Sequence, residues 1–391
     1  MYRKISIFLS IMFILVSLSA CTNKTQNIET VQDLNSAETN NSIESSNEKS
    51  LIIDKEEVIN KLCSDEFEGR LVGSLGNELA GEYISDLFSR IGLISMFGEN
   101  YNHEYTQEVY KTYGLIAEDD HGEVKTINNI VGKIEGKTNN AIIISAHFDH
   151  IGVQEGKIIK GAIDNASGVA VLLELAETLK NKYNIEKPEF DIIFCAFNGE
   201  EEALKGSRNF IEDINGKYDS LININIDSVG YKDGGKVTFL DKNMDTSLYL
   251  PMKEVIENNG LEVELDTDLK GTADSVAFDQ AGIPSICIID ENVKAVIHTE
   301  NDTPDLIDYD RLDKIVNTVL AASISGVTFN TTAHAQEITN KDVSSIVEDN
   351  INPKIAGIFT VTAKSGANIQ FVEKPPVKKA EGFCLLVVDK V

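Results

Sequence analysis

Apolar residues in this chain come in two arrangements. One is the short unbroken block. Residues 190–197, FDIIFCAF, are apolar apart from Asp191 and stop at Asn198-Gly199. A block of that length closed by a turn signal predicts a strand buried on both faces. Blocks at 128–134, 141–145, 221–226, 237–240 and 285–289 predict further strands. The other arrangement is the helical stripe. Leu79, Tyr83, Leu87 and Ile91 recur at helical spacing, and Gly92 follows as a stop. Val169, Leu172, Leu175, Ala176 and Leu179 place a helix at 169–180, and Leu312, Val316, Val319 and Leu320 place a closing helix at 310–327. Shorter helices are expected at 54–62 and 247–258, and Gly206-Ser207 reads as the close-packed start of another. Strands alternating with helices predict an α/β domain with a largely parallel sheet.

The two ends depart from this pattern. Residues 1–20 begin with a basic pair, Arg3-Lys4, and continue as the apolar run 5–18. A basic start, an apolar middle and small residues at the close form a secretory signal. The close, Leu18-Ser19-Ala20-Cys21, looks like a bacterial lipobox, which implies cleavage before Cys21 and a lipid on that sulfur. An ordinary signal peptide and an uncleaved anchor are the alternatives. The expectation is an exported lipoprotein, anchored to the cell membrane at Cys21 rather than spanning it. Residues 21–50, rich in Asn, Ser, Thr and Glu, hold too little apolar surface to fold and read as a flexible tether. The globular domain is expected at 51–327. Residues 328–391 hold candidate strands at 358–363 and 368–372, the pair Pro375-Pro376 and an apolar run at 383–388, and are expected to form a small β-rich extension.

Composition narrows the function. The formal charge is −28, with acids spread along all 391 residues. Phosphate-bearing partners need basic patches, so nucleic acid is not expected as a partner. The acidity suits cationic or amine-bearing ligands, or simply keeps an exported protein soluble. Five cysteines form no CxxC and no disulfide framework. Cys195 and Cys287 lie inside apolar blocks and are expected in the core, while Cys63 and Cys384 carry no assignment.

The chemistry gathers at strand ends. Glu200, Glu201 and Glu202 follow the 190–197 block, where open α/β sheets keep their sites. Adjacent glutamates cannot serve one atom equally, so one would bind metal while its neighbour moves a proton. Taken alone, the triplet also reads as a solvated acidic helix start. AHFDHIG (146–152) follows the 141–145 block, and GAIDNASG (161–168) leads into the 169–180 helix. Asp227 closes the 221–226 block, and IHTENDTPD (297–305) follows the last one. His147, Asp164, Glu201, Asp227 and His298 are thus five potential ligands of the kind zinc takes. Five exceed the need of one tetrahedral ion, and two ions sharing one carboxylate would use them all. His103, His121 and His334 read as surface or core residues.

Taken in order, EGR…GSLGN, AHFDH, GAIDNASG, GEEEALKGS, NIDSVG and IHTENDTPD make the chain resemble the M28 family of zinc aminopeptidases over about residues 51–327. The resemblance implies the zinc-exopeptidase fold, a three-layer α/β/α (phosphorylase/hydrolase-like) architecture around a mostly parallel mixed sheet. It also implies two zinc ions (Zn2+) per chain. His147 and Asp227 would bind the first and Glu201 and His298 the second. Asp164 would bridge them, with a cis peptide bond after it. Asp149 resembles the acid that orients His147. Counting back from Gly206-Ser207 makes Glu200 the general base; a register slip of one would move the roles to Glu201 and Glu202. His150 lies in a motif-like segment without an assigned role. GTADSVAF (271–278) resembles a stretch lining the substrate pocket, which makes Asp274 and Phe278 wall candidates, with a helix cap and a core aromatic as the other readings. Ile297 stands where some members carry an oxyanion-binding tyrosine, so the oxyanion partner is open. The implied reaction is hydrolysis of N-terminal peptide bonds in substrates with a free amine. Carboxypeptidase or dipeptidase action, glutaminyl cyclisation with one zinc, and a non-catalytic surface-binding lipoprotein are the rival readings.

Overall fold

The computed structural model describes residues 53–98, 100–114, 122–240, 246–265, 269 and 271–325, and the backbone of 360–362, 368–373 and 384–388. The expected signal, Cys21 and the tether lie outside the described residues, as do His121 and His334. The strands are β1 (Ile94–Ser95), β2 (Asn102–Val109), β3 (Glu123–Ile134), β4 (Asn140–His147), β5 (Val153–Gln154), β6 (Lys157–Ile158), β7 (Asp191–Phe197), β8 (Ser220–Ile226), β9 (Val237–Phe239), β10 (Val263–Glu264) and β11 (Ser285–Asp290). The helices are α1 (Lys55–Leu62), α2 (Leu75–Ile91), α3 (Ser167–Lys182), α4 (Lys205–Ile214), α5 (Thr246–Asn258), α6 (Asp274–Gln280) and α7 (Tyr309–Ser325). Among the described residues, no helix is long and apolar enough to cross a membrane.

Local chemistry starts and stops these elements. Asp54 caps α1 by accepting from Glu56 N and Glu57 N. Ser74 does the same for Asn77 N in α2, and Gly92 ends that helix at φ 82°, a left-handed conformation glycine adopts at little cost. The core face of α2 is set by Ala80, Ile84, Leu87, Phe88 and Ile91, with Leu79 and Tyr83 flanking it half-buried.

The main sheet runs β1-β3-β7-β4-β8-β11-β9-β10, with β2 also pairing β3. Its centre, β7-β4-β8-β11, is parallel. Antiparallel pairing is confined to β1, β2 and β7 against β3, and to β9 against β11. Side chains alternate across the sheet. Ile142, Ile144, Ala146, Ile192 and Phe194 face one core, packed with residues of α1, α2, α3, α5 and α7. Ala141, Ile143, Ile193, Cys195 and Phe197 face a second core with α4 and α6. Helices thus cover both faces, giving three layers. α3 is buried on nearly all sides because α1, α2 and α7 all pack against it.

β2 has no counterpart among the strands expected from the apolar blocks. Its inward positions alternate with exposed ones, but two of the four buried residues are His103 and Gln107. Polar residues at core-facing positions hide the period-two signal. β3 starts at Glu123 rather than at 128 because its first half pairs with β2. Separately, β12 (Thr360–Thr362), β13 (Asn368–Glu373) and β14 (Cys384–Val388) form a three-stranded antiparallel sheet.

Candidate metal centre

The parallel strands end side by side, so the residues just past them converge. His147 is the last residue of β4 and pairs with Phe197, the last of β7. The turn carrying Glu200 and Glu201 begins directly after Phe197, and Asp227 directly follows β8. Asp164 sits in a wide turn, Ala162–Ala166, whose backbone leaves helical dihedrals at Asp164 and Asn165, and the Asp164–Asn165 peptide bond is cis. His298 stands in the loop after β11, at φ 59°. Gly161, which opens the Asp164 turn at φ 58°, admits no side chain: an added Cβ would lie 2.3 Å from Asp164 O and 2.6 Å from the His150 ring.

The result is two donor clusters joined by one carboxylate. His147 Nε2 lies 3.1 Å from Asp164 Oδ1 and 3.6 Å from Asp227 Oδ1. His298 Nε2 lies 3.1 Å from Asp164 Oδ2 and 3.0 Å from Glu201 Oε1. Asp164 therefore turns one oxygen to each cluster. Ligands about 2.0–2.1 Å from a tetrahedral ion stand roughly 3.3 Å from one another. The spacings here suit such an ion in each cluster, and histidine nitrogen with carboxylate oxygen is a donor set zinc accepts. All five ligand candidates are thus brought together, and each of the two clusters is compatible with a cation.

Electrostatics point the same way. Burial opposes charge on His147, but Asp227, Asp149 and Asp164 outweigh it and raise its pKa well above the histidine range. Burial likewise opposes charge on His298, yet Asp164 and Glu201 push it up to about 10. Asp164 is held well below the carboxylate range, against its burial, by hydrogen bonds from His147 and His298. Glu201, despite burial and the nearby Asp164, is lowered by His150 and His298. The carboxylates thus hold the His147 and His298 rings in their charged form, and a cation bound there would take the place of those protons. Glu200 behaves oppositely. Burial, Asp227, Glu201 and Asp274 together raise its pKa well above the carboxylate range, with His147 opposing.

Several supporting side chains escaped the sequence reading. Arg70 is fully buried and donates to Leu62 O, Phe148 O, Lys160 O and Gly161 O, tying the His147 loop to the Asp164 loop. Asp302 accepts from Ile163 N at 2.7 Å and Asp164 N at 3.1 Å. Asn165 donates to Ile226 O and accepts from Gly168 N and Ser228 N, linking α3 to the Asp227 loop. Arg70 and Asp302 lie in the EGR and TENDTPD segments, the only hint they offered. Tyr113, half-buried, sets its ring edge-on to His298 at 5.8 Å. His150 stands 3.0 Å from Glu201 Oε1 through Nδ1 and 3.9 Å from Asp164 Oδ2, close enough to count as a fourth donor in that cluster.

Two expectations need revision, and a third gains a second role. Asp149, expected to orient His147, keeps its Oδ1 3.7 Å from His147 Nδ1, whose nearer contact is Asp149's backbone oxygen at 3.1 Å. The Asp149 carboxylate accepts the backbone N–H groups of Glu200 and Glu201, each at 3.2 Å. Phe278 is not a pocket wall: it is fully buried against Phe197 and Phe210, as a core aromatic. Asp274 is neither wall nor cap. It is the first residue of α6, after Ala273, and is fully buried. The Ser207 side chain is close to its carboxylate, and the Ser207 hydroxyl also lies 3.2 Å from Leu204 O. Burial, with Asp149 and Asp227, pushes its pKa up to about 7 against the pull of His147 and Ser207. Ile297 packs on the larger core and offers no oxyanion donor.

Residues 129–323 match peptidase family M28. Among curated relatives, the alkaline phosphatase isozyme conversion protein of Escherichia coli is 32% identical over 42% of this chain and 47% of its own length. Aminopeptidase YwaD of Bacillus subtilis is 29% identical over 52% of this chain and 45% of its own. The probable lipoprotein aminopeptidase LpqL of Mycobacterium tuberculosis is 27% identical over 59% and 50%. The chain thus spans about half the length of the curated relatives it matches. Among solved structures, the glutaminyl cyclase of Fimbriiglobus ruber superposes with a TM-score of 0.56 at 19% identity, covering 70% of this chain and 96% of its own. The zinc aminopeptidase BSAP of Bacillus subtilis superposes with a TM-score of 0.54 at 18% identity, covering 70% and 94%. At these identities the likeness is one of fold.

Proposed function

Since the chain belongs to peptidase family M28, we propose that it is a two-zinc aminopeptidase, exported and tethered to a membrane by a lipid on Cys21. The observation that carries the reading is the pair of donor clusters that share the two oxygens of Asp164. His147 and Asp227 would hold the first ion, and Glu201 and His298 the second. Zinc bound there would polarise the scissile carbonyl and lower the pKa of the attacking water towards ~7. Glu200 would take a proton from the attacking water and pass it to the departing amine. Its burial and acidic neighbours raise its pKa well above the carboxylate range, as suits a base working near neutral pH. Asp149 fixes the two adjacent glutamates by their amides, so that Glu201 serves the metal while Glu200 stays free for the proton. The free amine of the substrate meets a carboxylate-rich site, which favours trimming from the N-terminus.

Residues 21–50 act as the tether, 51–327 as the peptidase domain and 328–391 as an extension. YwaD and LpqL support aminopeptidase action, and LpqL the lipid anchor. The Fimbriiglobus ruber structure supports a second reading, cyclisation of an N-terminal glutamine. Two complete donor clusters favour hydrolysis. Glu200→Gln tests the mechanism: it should keep both zinc ions and lose at least about 100-fold in kcat. Normal turnover with zinc retained would remove Glu200 as the base.

A further inference from the structure

His103 lies outside the metal centre and outside the motifs that led to it. Its buried ring stands on β2 opposite Asn129, its cross-strand partner on β3. Nε2 is 2.9 Å from Asp213 Oδ2, and Nδ1 is 2.9 Å from Asn129 Nδ2. Asn129 is committed at both of its own polar atoms. Its Oδ1 accepts from Asn198 N at 2.8 Å, and its Nδ2 donates to Gly206 O at 2.9 Å. Those two backbone groups are the ends of the loop that carries Glu200 and Glu201. The clasp is tight: a Cβ at Gly206 would lie 2.1 Å from Asn198 O and 2.3 Å from Asn129 Oδ1.

This geometry fixes a proton. Turning the Asn129 amide over would set its NH2 against Asn198 N–H and its oxygen against Gly206 C=O, two buried repulsive contacts. The amide therefore keeps its orientation, and its second N–H points at His103. An imidazole can answer with an acceptor only if Nδ1 carries no hydrogen. Nε2 then holds the hydrogen and donates it to Asp213. The groups around the ring agree. Asp213 on α4 favours the charged form, while burial, helped by Lys217 after α4, outweighs it and lowers the pKa. Phe97 and Phe210 close the remaining sides, with ring centres 4.5 and 5.6 Å away.

We propose that His103 is a positioning residue: as the neutral Nε2–H tautomer it holds Asn129, and Asn129 clasps both ends of the Glu200–Glu201 loop. The proposal rests on the reading of Glu200 as base and Glu201 as ligand. Protonation of His103 sets two donors face to face and loosens the clasp, so kcat should fall as His103 takes up a proton on the acid side.

The test uses the full chain loaded with zinc. His103→Leu keeps bulk without an acceptor. His103→Asn places an oxygen where Nδ1 stood and does not titrate. His103→Leu should lose about five- to tenfold in kcat, the worth of one hydrogen bond, with KM and zinc content unchanged. His103→Asn should recover most of that loss, and its kcat should hold to lower pH than that of the wild type. Amide exchange at Asn198 should be about tenfold faster in His103→Leu. Nitrogen chemical shifts of His103 should report the Nε2–H tautomer at pH 7. A charged His103 at that pH, or unchanged Asn198 exchange in His103→Leu, would overturn the proposal. Should His103→Leu not fold, the tautomer and the pH profile of His103→Asn decide the question. A wild type that cleaves no peptide rejects the aminopeptidase reading, whereas the tautomer and exchange measurements still judge His103.

Discussion

Asp149→Asn separates two roles for one carboxylate. In the fold, its oxygens accept the amides of Glu200 and Glu201 at 3.2 Å each, while His147 Nδ1 meets the Asp149 backbone oxygen at 3.1 Å. Asparagine keeps the shape and one acceptor but presents an NH2 to the other amide. Hydrogen bonds to a charged acceptor contribute about 1.5–3 kcal/mol net, and bonds as long as these belong at the lower end. Losing one and opposing two donors costs about 2 kcal/mol, borne by the Glu200–Glu201 loop. If that cost falls on the transition state, kcat drops roughly 30-fold. The backbone bond to His147 survives, so zinc affinity should fall more in the cluster that uses Glu201 than in the one that uses His147. Steady-state kinetics on a leucine anilide, with a competitive zinc titration resolving two binding steps, reads both effects. A kcat within about twofold of wild type, or weakened binding confined to the His147 cluster, would refute the loop-holding role and restore the simpler one.

Two further substitutions probe the shared carboxylate and the core. Asp164→Asn removes the charge that both clusters share, so zinc per chain should fall from the proposed two to one or none, read by elemental analysis after dialysis. Retention of two ions would contradict the bridge. Arg311 donates to the buried carboxylate of Asp290 through Nε at 3.0 Å and Nη2 at 2.6 Å. Arg311→Met strands that charge and should cost about 3–5 kcal/mol of stability. Burial already raises the Asp290 pKa above its ordinary value, with Arg311 opposing. Without Arg311 the folded state binds the proton still more tightly than the unfolded chain does. The loss should therefore be smallest below about pH 4, where both states are protonated, and grow as pH rises. Urea melts at two pH values check the sign, and a loss that shrinks as pH rises would contradict it.

What could be read in the sequence follows from what the sequence signals physically. The central strands were legible because both of their faces are buried, which leaves unbroken apolar blocks such as 190–197. The five ligand candidates were legible because they stand in or just beyond those blocks, or in short motifs, and the resemblance to M28 gave them their roles. β2 was not legible because His103 and Gln107 occupy core-facing positions. Supporting contacts were hidden for a different reason. Asp302 holds the Asp164 turn across 138 residues, and Asn198 reaches Asn129 across 69. Such pairings depend on strand register, which no local pattern reveals. Asp274 and Phe278 were misplaced because a motif fixes position along the chain but not depth. One turn of α6 carries both into the interior.

One digestion decides whether the chain is a zinc aminopeptidase. Purified full-length chain, zinc-loaded or stripped with a chelator, is given a leucine-initiated peptide with its amine either free or acetylated, and the products are weighed by mass spectrometry. A glutamine-initiated peptide runs alongside. A zinc aminopeptidase removes a single N-terminal residue, only from free-amine peptides and only with zinc. Cleavage of the acetylated peptide, undiminished cleavage after zinc removal, or loss of ammonia from the glutamine peptide without loss of a residue would contradict that reading.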